Sequence, residues 1–190
     1  MATTLLLFPG AGANRDQPAL RAVDDAVSAL PRHAVVRADF PYRKEGRKAP
    51  DRPPKLFTAV REELAAIGNR RDVVVGGRSM GGRICSMIAA GVDGDPPPKR
   101  LAGVVTISYP LHPPGKPERL RVEHLPDVTV PWLFVHGTKD PFGTRDELVE
   151  WTATVGGPVT HHWIEGKGHD LRGADAEVAT VVAEWMSTLG

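Results

Sequence analysis

Six short runs of apolar residues, rich in leucine and β-branched side chains, alternate along the chain with segments that carry apolar residues at helical spacing. Near-continuous apolar runs are typical of strands covered on both faces, as in a parallel sheet. Strands that alternate with helices indicate a doubly wound α/β domain. The predicted strands are 3–8, 33–39, 72–76, 102–108, 132–136 and 159–164, and the predicted helices are 18–30, 56–67, 80–90, 144–154 and 174–189.

The length of 190 residues fits one domain of ordinary size. We therefore predict a single domain over residues 1–190, a three-layer α/β/α sandwich with six mainly parallel strands in the order 2-1-3-4-5-6. Two long connections, residues 41–54 and 109–131, interrupt the alternation. Connections of this length inside a compact domain are usually functional or disordered, and neither is long enough to form a separate cap domain.

Charge and cysteine content limit the partners and the compartment. The 24 basic residues nearly balance the 23 acidic ones, which gives no global reason to expect nucleic acid or an anionic membrane as a partner. The single cysteine, Cys85, excludes an internal disulfide and fits a reducing compartment. With no signal-peptide pattern and no apolar run of membrane-spanning length, we predict a cytoplasmic protein. The oligomeric state stays open.

A G-x-S-x-G motif, from Gly77 to Gly81, follows the third predicted strand and precedes a helix. This context is typical of a nucleophile elbow, in which the serine occupies a strained turn and its hydroxyl projects above the sheet. Glycines flank the serine because strand and helix approach the turn closely. Ser79 is therefore the predicted nucleophile, and Cys85 on the same helix is predicted to be a small buried residue. The alternative is a glycine-rich turn that binds phosphate at the helix N-terminus, although the spacing fits neither common phosphate-binding motif.

A serine nucleophile needs a histidine base and an acid that orients it. After a nucleophile elbow, the acid comes next along the chain and the histidine follows the acid. His169 lies in a glycine-rich segment just after the sixth strand, where a loop at the carboxyl edge of the sheet can reach Ser79. Asp140 follows the fifth strand and is the predicted acid. Asp127 and Asp146 are the alternatives for that role.

The oxyanion hole is predicted from two backbone N–H groups. One belongs to Met80, the residue after the nucleophile. The other is expected from the small-residue loop after the first strand, where Ala11 is the first choice and Gly12 the second.

The two long connections carry cations and leave the edge of the sheet where Ser79 is expected. We predict that they form a substrate rim that includes Arg43, Arg47 and His112 and favours an anionic substrate. The alternative is that these side chains are simply solvated.

No cofactor and no metal site is predicted. His161 and His162 are adjacent within the sixth strand, and adjacent residues on a strand point to opposite faces, so they chelate poorly.

Four runs of the chain carry a resemblance to a known family: PGAGA at 9–13, FPY at 40–42, GGRSMGGR at 76–83 and YPLHPPGKP at 109–117. They resemble the dienelactone-hydrolase-like branch of the α/β-hydrolase superfamily. Within it they resemble the group that contains a testis-expressed hydrolase-like protein and a subunit of the non-specific lethal chromatin complex. The resemblance implies the compact α/β-hydrolase fold and, by position, the triad Ser79, Asp140 and His169. Dienelactone hydrolases themselves use a cysteine nucleophile where this chain has serine.

The combined prediction is a serine hydrolase that cleaves a small carboxylic ester or thioester through an acyl-enzyme on Ser79. The alternative comes from another class, a hydrolase-fold protein-interaction module with weak or no turnover.

Overall fold

The computed structural model describes residues 2–189 and contains one six-stranded sheet. All neighbouring strands are parallel and their order is β2-β1-β3-β4-β5-β6, which confirms the predicted order. The strands are β1 (Thr3–Phe8), β2 (His33–Arg37), β3 (Asp72–Arg78), β4 (Leu101–Ile107), β5 (Trp132–Gly137) and β6 (Val159–Ile164).

Helices cover both faces of this sheet. They are α1 (Pro18–Ser28), α2 (Pro41–Lys44), α3 (Pro53–Ile67), α4 (Met80–Ala89), α5 (Arg145–Thr152) and α6 (Asp175–Ser187). Because successive side chains of a strand point to opposite faces, Leu5 and Leu7 of β1 join a core with α1 and α6, whereas Leu6 and Phe8 join a second core with α3 and α4. The predicted three-layer arrangement is thereby confirmed.

The sheet winding reverses at β1, which pairs with β2 on one side and β3 on the other. In open α/β sheets, ligands bind at such a reversal, outside the carboxyl ends of the strands. The fold therefore directs attention to the loop after β1 and the turn after β3.

The first long connection contains more helix than the sequence indicated. Residues 41–54 were expected to form one irregular loop, but they include α2 and the first residues of α3. Both helices begin with proline, whose fixed φ suits the first helical turn and whose missing N–H is not needed there. The second connection holds a short 3₁₀ turn at Leu125–Asp127.

Across residues 2–189, the structure contains no helix that is both long and apolar enough to cross a bilayer.

Candidate active site

Ser79 occupies the sharp turn between β3 and α4. Its φ of 49° and ψ of −116° lie in a region that side chains other than glycine rarely adopt. The Ser79 N–H donates to the carbonyl of Ile107 on β4 at 2.8 Å, which anchors the turn to the neighbouring strand. The strand runs up to Arg78, so the serine follows the sheet directly and precedes the first residue of α4.

The glycines around Ser79 are required by the close approach of β1. A Cβ on Gly77 would lie 2.1 Å from the carbonyl oxygen of Phe8, and one on Gly81 would lie 2.3 Å from the same atom. Real Cβ atoms essentially never come within 3.0 Å of another heavy atom. Only glycine lets the turn and the start of α4 pack directly on the end of β1, as the sequence analysis expected.

Three side chains from three different loops meet at the carboxyl edge of the sheet. The Ser79 Oγ lies 2.8 Å from Nε2 of His169, and Nδ1 of His169 lies 2.8 Å from Oδ2 of Asp140. A carboxylate can only accept, so the imidazole proton belongs on Nδ1 and Nε2 accepts from the serine hydroxyl. Asp140 has no exposed side-chain surface, whereas His169 is partly open to the cleft.

The acid and the base are further fixed by Phe142. Its backbone N–H donates to Oδ1 of Asp140 at 2.8 Å, and its ring stacks on the imidazole of His169 with centroids 4.0 Å apart. One residue thus constrains both the carboxylate and the plane of the ring.

The loop after β1 forms the opposite wall of the cleft. Gly10 turns the chain, with the Ala13 N–H donating to its carbonyl at 3.1 Å, and a Cβ on Gly10 would lie 3.6 Å from that of Ser79. Ala11 and Met80 line the same cavity as Ser79 and His169. Met80 is the first residue of α4, where backbone N–H groups have no partner within the helix.

Comparison with known proteins identifies the family. A family model described as an alpha/beta hydrolase domain matches residues 1–189. The chain belongs to the α/β-hydrolase family.

Solved structures of other proteins are similar to this chain over nearly its whole length. Est1E from Butyrivibrio proteoclasticus has a TM-score of 0.78 at 16% identity, covering 99% of this chain and 88% of its own. The Paleococcus ferrophilus monoacylglycerol lipase has a TM-score of 0.75 at 14% identity, covering 98% and 95%. The type II thioesterase BorB from the borrelidin biosynthetic cluster has a TM-score of 0.71 at 17% identity, covering 100% and 94%. At these identities the likeness shows the fold alone.

The side chains predicted to rim the cleft of this α/β hydrolase do not line the cavity at Ser79. Arg47 pairs with Glu45 and Asp51, and Arg43 donates to the carbonyl of Arg47 at 3.0 Å. His112 is buried, with Nε2 3.5 Å from a Glu147 carboxylate oxygen. Among residues 2–189, the cations that do line the cavity are Arg78, Arg83 and Arg121. The substrate rim of Arg43, Arg47 and His112 stays a prediction, although none of the three lines this cavity.

The other candidates from the sequence have separate structural environments. Asp127 and Asp146 are exposed, and the carboxylate bonded to the imidazole of His169 is that of Asp140. His161 and His162 face Thr152 and Glu177 respectively, so the structure does not bring the two rings to one ligand. Cys85 is fully buried, and its thiol donates to the Gly76 carbonyl at 3.2 Å. Burial raises the pKa of this thiol, which keeps it protonated.

The sequence did not single out His136, a second histidine beside Asp140 that does not line the cavity. Its Nε2 lies 3.0 Å from the Gly143 carbonyl and 3.4 Å from Oδ2 of Asp140, and the ring is buried. Burial lowers the pKa of His136, which favours the neutral ring beside the carboxylate. Its position four residues before Asp140, at the end of a strand, was the available signal.

Proposed function

We propose that this α/β hydrolase is a serine hydrolase that cleaves a small carboxylic ester or thioester through an acyl-enzyme on Ser79. The observation that carries the proposal is the unbroken series of two 2.8 Å hydrogen bonds from Ser79 through His169 to Asp140. A nucleophile in contact with a base that a third group orients is the arrangement that acyl transfer needs.

In the proposed reaction, the Ser79 hydroxyl attacks the acyl carbon while Nε2 of His169 takes its proton. Asp140 holds the Nδ1 proton and stabilises the imidazolium that forms. The N–H groups of Met80 and Ala11 receive the negative charge of the tetrahedral oxygen. The protonated His169 then releases the alcohol or thiol, and a water activated by the same ring hydrolyses the acyl-enzyme.

The dimensions of the cleft support a small substrate. The cavity at Ser79 has a volume of about 390 Å³, near the lower end of the range for ligand pockets. The solved structures similar to this chain include an esterase domain, a lipase and a thioesterase, and their chemistry is consistent with acyl transfer here. We also propose that the chain belongs to the dienelactone-hydrolase-like branch of the family, on the basis of the four sequence runs 9–13, 40–42, 76–83 and 109–117.

The test uses a fluorophosphonate probe and p-nitrophenyl esters from acetyl to dodecanoyl. We expect the wild-type chain to be labelled and to hydrolyse short esters fastest, and we expect Ser79→Ala to lose both signals while its melting temperature stays near that of wild type. Labelling of Ser79→Ala at the wild-type rate would overturn the choice of nucleophile. A rate maximum at the dodecanoyl ester would overturn the proposal that the substrate is small. A wild-type chain without labelling or turnover would instead support the interaction-module alternative.

A further inference from the structure

Two arginines line the cavity next to Ser79 without a carboxylate to neutralise them. Arg83 and Arg121 both contact the cavity, as do Ser79 and His169. Within residues 2–189, neither guanidinium has a carboxylate oxygen within 4.0 Å. Other arginines of the chain are paired: Arg37 with Asp24, Arg61 with Asp93, and Arg100 with Asp72.

Arg83 is fixed to the elbow itself. It lies one helical turn after the nucleophile, and its backbone N–H donates to the Ser79 carbonyl at 3.0 Å. Arg83 and Ser79 line the same cavity. The Nε of Arg83 is buried and has no hydrogen-bond partner. A buried donor without a partner is costly, and a ligand that accepts from it would remove that cost.

Arg121 comes from the connection between β4 and β5 and is held by its backbone. Its N–H donates to the Leu111 carbonyl at 2.9 Å, and its carbonyl accepts from the buried Tyr109 hydroxyl at 2.7 Å. Its guanidinium donates through Nη1 to the Pro110 carbonyl at 3.3 Å, which leaves other donors free. Burial and the charge of Arg83 lower the pKa of Arg121. Because both guanidinium groups line one cleft, two like charges share it, an arrangement that an anion would stabilise.

The third cavity arginine, Arg78, has a different environment. Its Nε is also buried without a hydrogen-bond partner, but its Nη2 donates to the His169 carbonyl at 2.9 Å, and the charges of Asp170, Asp175 and Asp140 act on it. Arg83 also lines a neighbouring cavity with the exposed carboxylates of Glu123 and Asp127, but within residues 2–189 neither forms an ion pair with it. The anion-seeking groups are thus Arg83 and Arg121.

We propose that Arg83 and Arg121 form a subsite for a carboxylate carried by the substrate, so that the preferred ester or thioester is a small anionic one. The proposal rests on the proposed function, since it places the scissile carbonyl at Ser79. Guanidinium groups match carboxylates in a planar, two-bond geometry. The cavity of about 390 Å³ holds the carbonyl and the carboxylate of one small molecule together.

The first experiment compares matched esters. Mono-p-nitrophenyl adipate is paired with p-nitrophenyl hexanoate, which places the charge on the acyl side. 4-Acetoxybenzoate is paired with its methyl ester, which places the charge on the leaving group. We expect kcat/KM to be about tenfold or more higher for the carboxylate member of at least one pair, because a hydrogen bond between charged groups is strong enough to give a preference of that size. Equal rates within both pairs would overturn the proposal.

The second experiment separates binding from structure. Arg83→Gln and Arg121→Gln should each lower kcat/KM for the preferred anionic ester by roughly 10- to 100-fold, with the neutral partner within about threefold. Arg83→Lys should retain part of the preference, because it keeps the charge without the planar fork. The matched control is Arg70→Gln, which removes an exposed arginine from the turn between α3 and β3 and should change neither rate. Equal losses for both esters would assign the arginines a structural role instead.

A titration without turnover distinguishes this proposal from the proposed function. Adipate added to Ser79→Ala should shift the arginine side-chain NMR signals of Arg83 and Arg121, and the shifts should be lost in the double variant Ser79→Ala/Arg83→Gln. If the wild-type chain hydrolyses no ester but this titration succeeds, the hydrolase assignment fails and the subsite stands. No shift with adipate, or tighter binding of inorganic phosphate than of adipate, would overturn the carboxylate subsite.

Discussion

Replacing Gly81 by alanine tests how closely the elbow depends on the end of β1. Gly81 is the second residue of α4, where alanine would ordinarily stabilise the helix by about 1 kcal/mol. Its added methyl group would meet the Phe8 carbonyl oxygen at 2.3 Å and the Pro9 carbonyl oxygen at 2.6 Å. Both atoms are backbone, so neither can rotate away. Phe8 is also paired in register with Gly77, so a shift of β1 disturbs the sheet beside the nucleophile.

The balance of these effects gives the expected magnitude. The contact must lengthen from 2.3 Å to 3.0 Å or more before it is tolerated. Overpacking of this kind costs about 1–3 kcal/mol, and backbone rather than side-chain partners place it at the upper end. After the gain in helix propensity, a net destabilisation of about 1–2 kcal/mol remains. In a domain of this size that corresponds to a fall in Tm of about 2–8 °C.

The loss of activity at the assay temperature should be larger than the loss of folded protein alone would cause. The displaced segment carries Ala11, and a misplacement near 1 Å in a catalytic site can cost about 100-fold in rate. The assays are thermal unfolding followed by circular dichroism and kcat/KM for p-nitrophenyl acetate. Gly10→Ala is the matched control for stability, because its Cβ would meet only atoms at 3.6 Å and should leave Tm unchanged. A Gly81→Ala variant with a raised Tm and full activity would refute the reasoning.

Two further predictions concern titratable groups. His169→Ala should lower kcat/KM by about 10⁴-fold or more and Asp140→Asn by somewhat less, since the first removes the base itself and the second only disturbs the orientation of the imidazole. Asp146→Asn is the control. An Asp140→Asn rate within about threefold of wild type would place the acid elsewhere. Burial, assisted by the charge of Arg83, lowers the pKa of His124 to about 4. Between pH 6.5 and pH 4, His124 is therefore protonated in the unfolded chain but mostly neutral in the folded chain. The free energy of unfolding should therefore decline by on the order of 3 kcal/mol as pH falls from 6.5 to 4, and urea unfolding of His124→Gln should show a shallower decline; parallel pH profiles would contradict this account.

The sheet could be predicted from the sequence because its strands are local patterns. The run from Val73 to Val75 and its counterparts are apolar on both faces, which is the signature of buried parallel strands. The meeting of Ser79, Asp140 and His169 also followed from topology, because each residue comes just after a strand and parallel strands end at one edge. These positions depend on chain order and not on any detail of packing.

The lining of the cleft could not be predicted in the same way. Arg83 follows from the elbow helix, but Arg121 reaches the cavity only because Tyr109 and Leu111 fold its segment back on itself. His112 belongs to the same connection and turns inward toward Glu147. In such a segment, orientation is set by long-range hydrogen bonds that composition does not encode. The α2 helix was missed for a related reason, since four residues are too few to show a helical period.

The two backbone hydrogen bonds that hold Arg121, to Leu111 and Tyr109, bear on how this fold can change its selectivity. Ser79, Asp140 and His169, the proposed catalytic residues, follow the ends of β3, β5 and β6, whereas Arg121 belongs to the segment between β4 and β5. One half of the proposed carboxylate subsite, Arg121, therefore resides on a different piece of chain from Ser79, whereas the other half, Arg83, follows Ser79 on α4. Exchange of the segment between β4 and β5 would replace the Arg121 half of the proposed subsite and leave Arg83, Ser79, Asp140 and His169 on the rest of the chain.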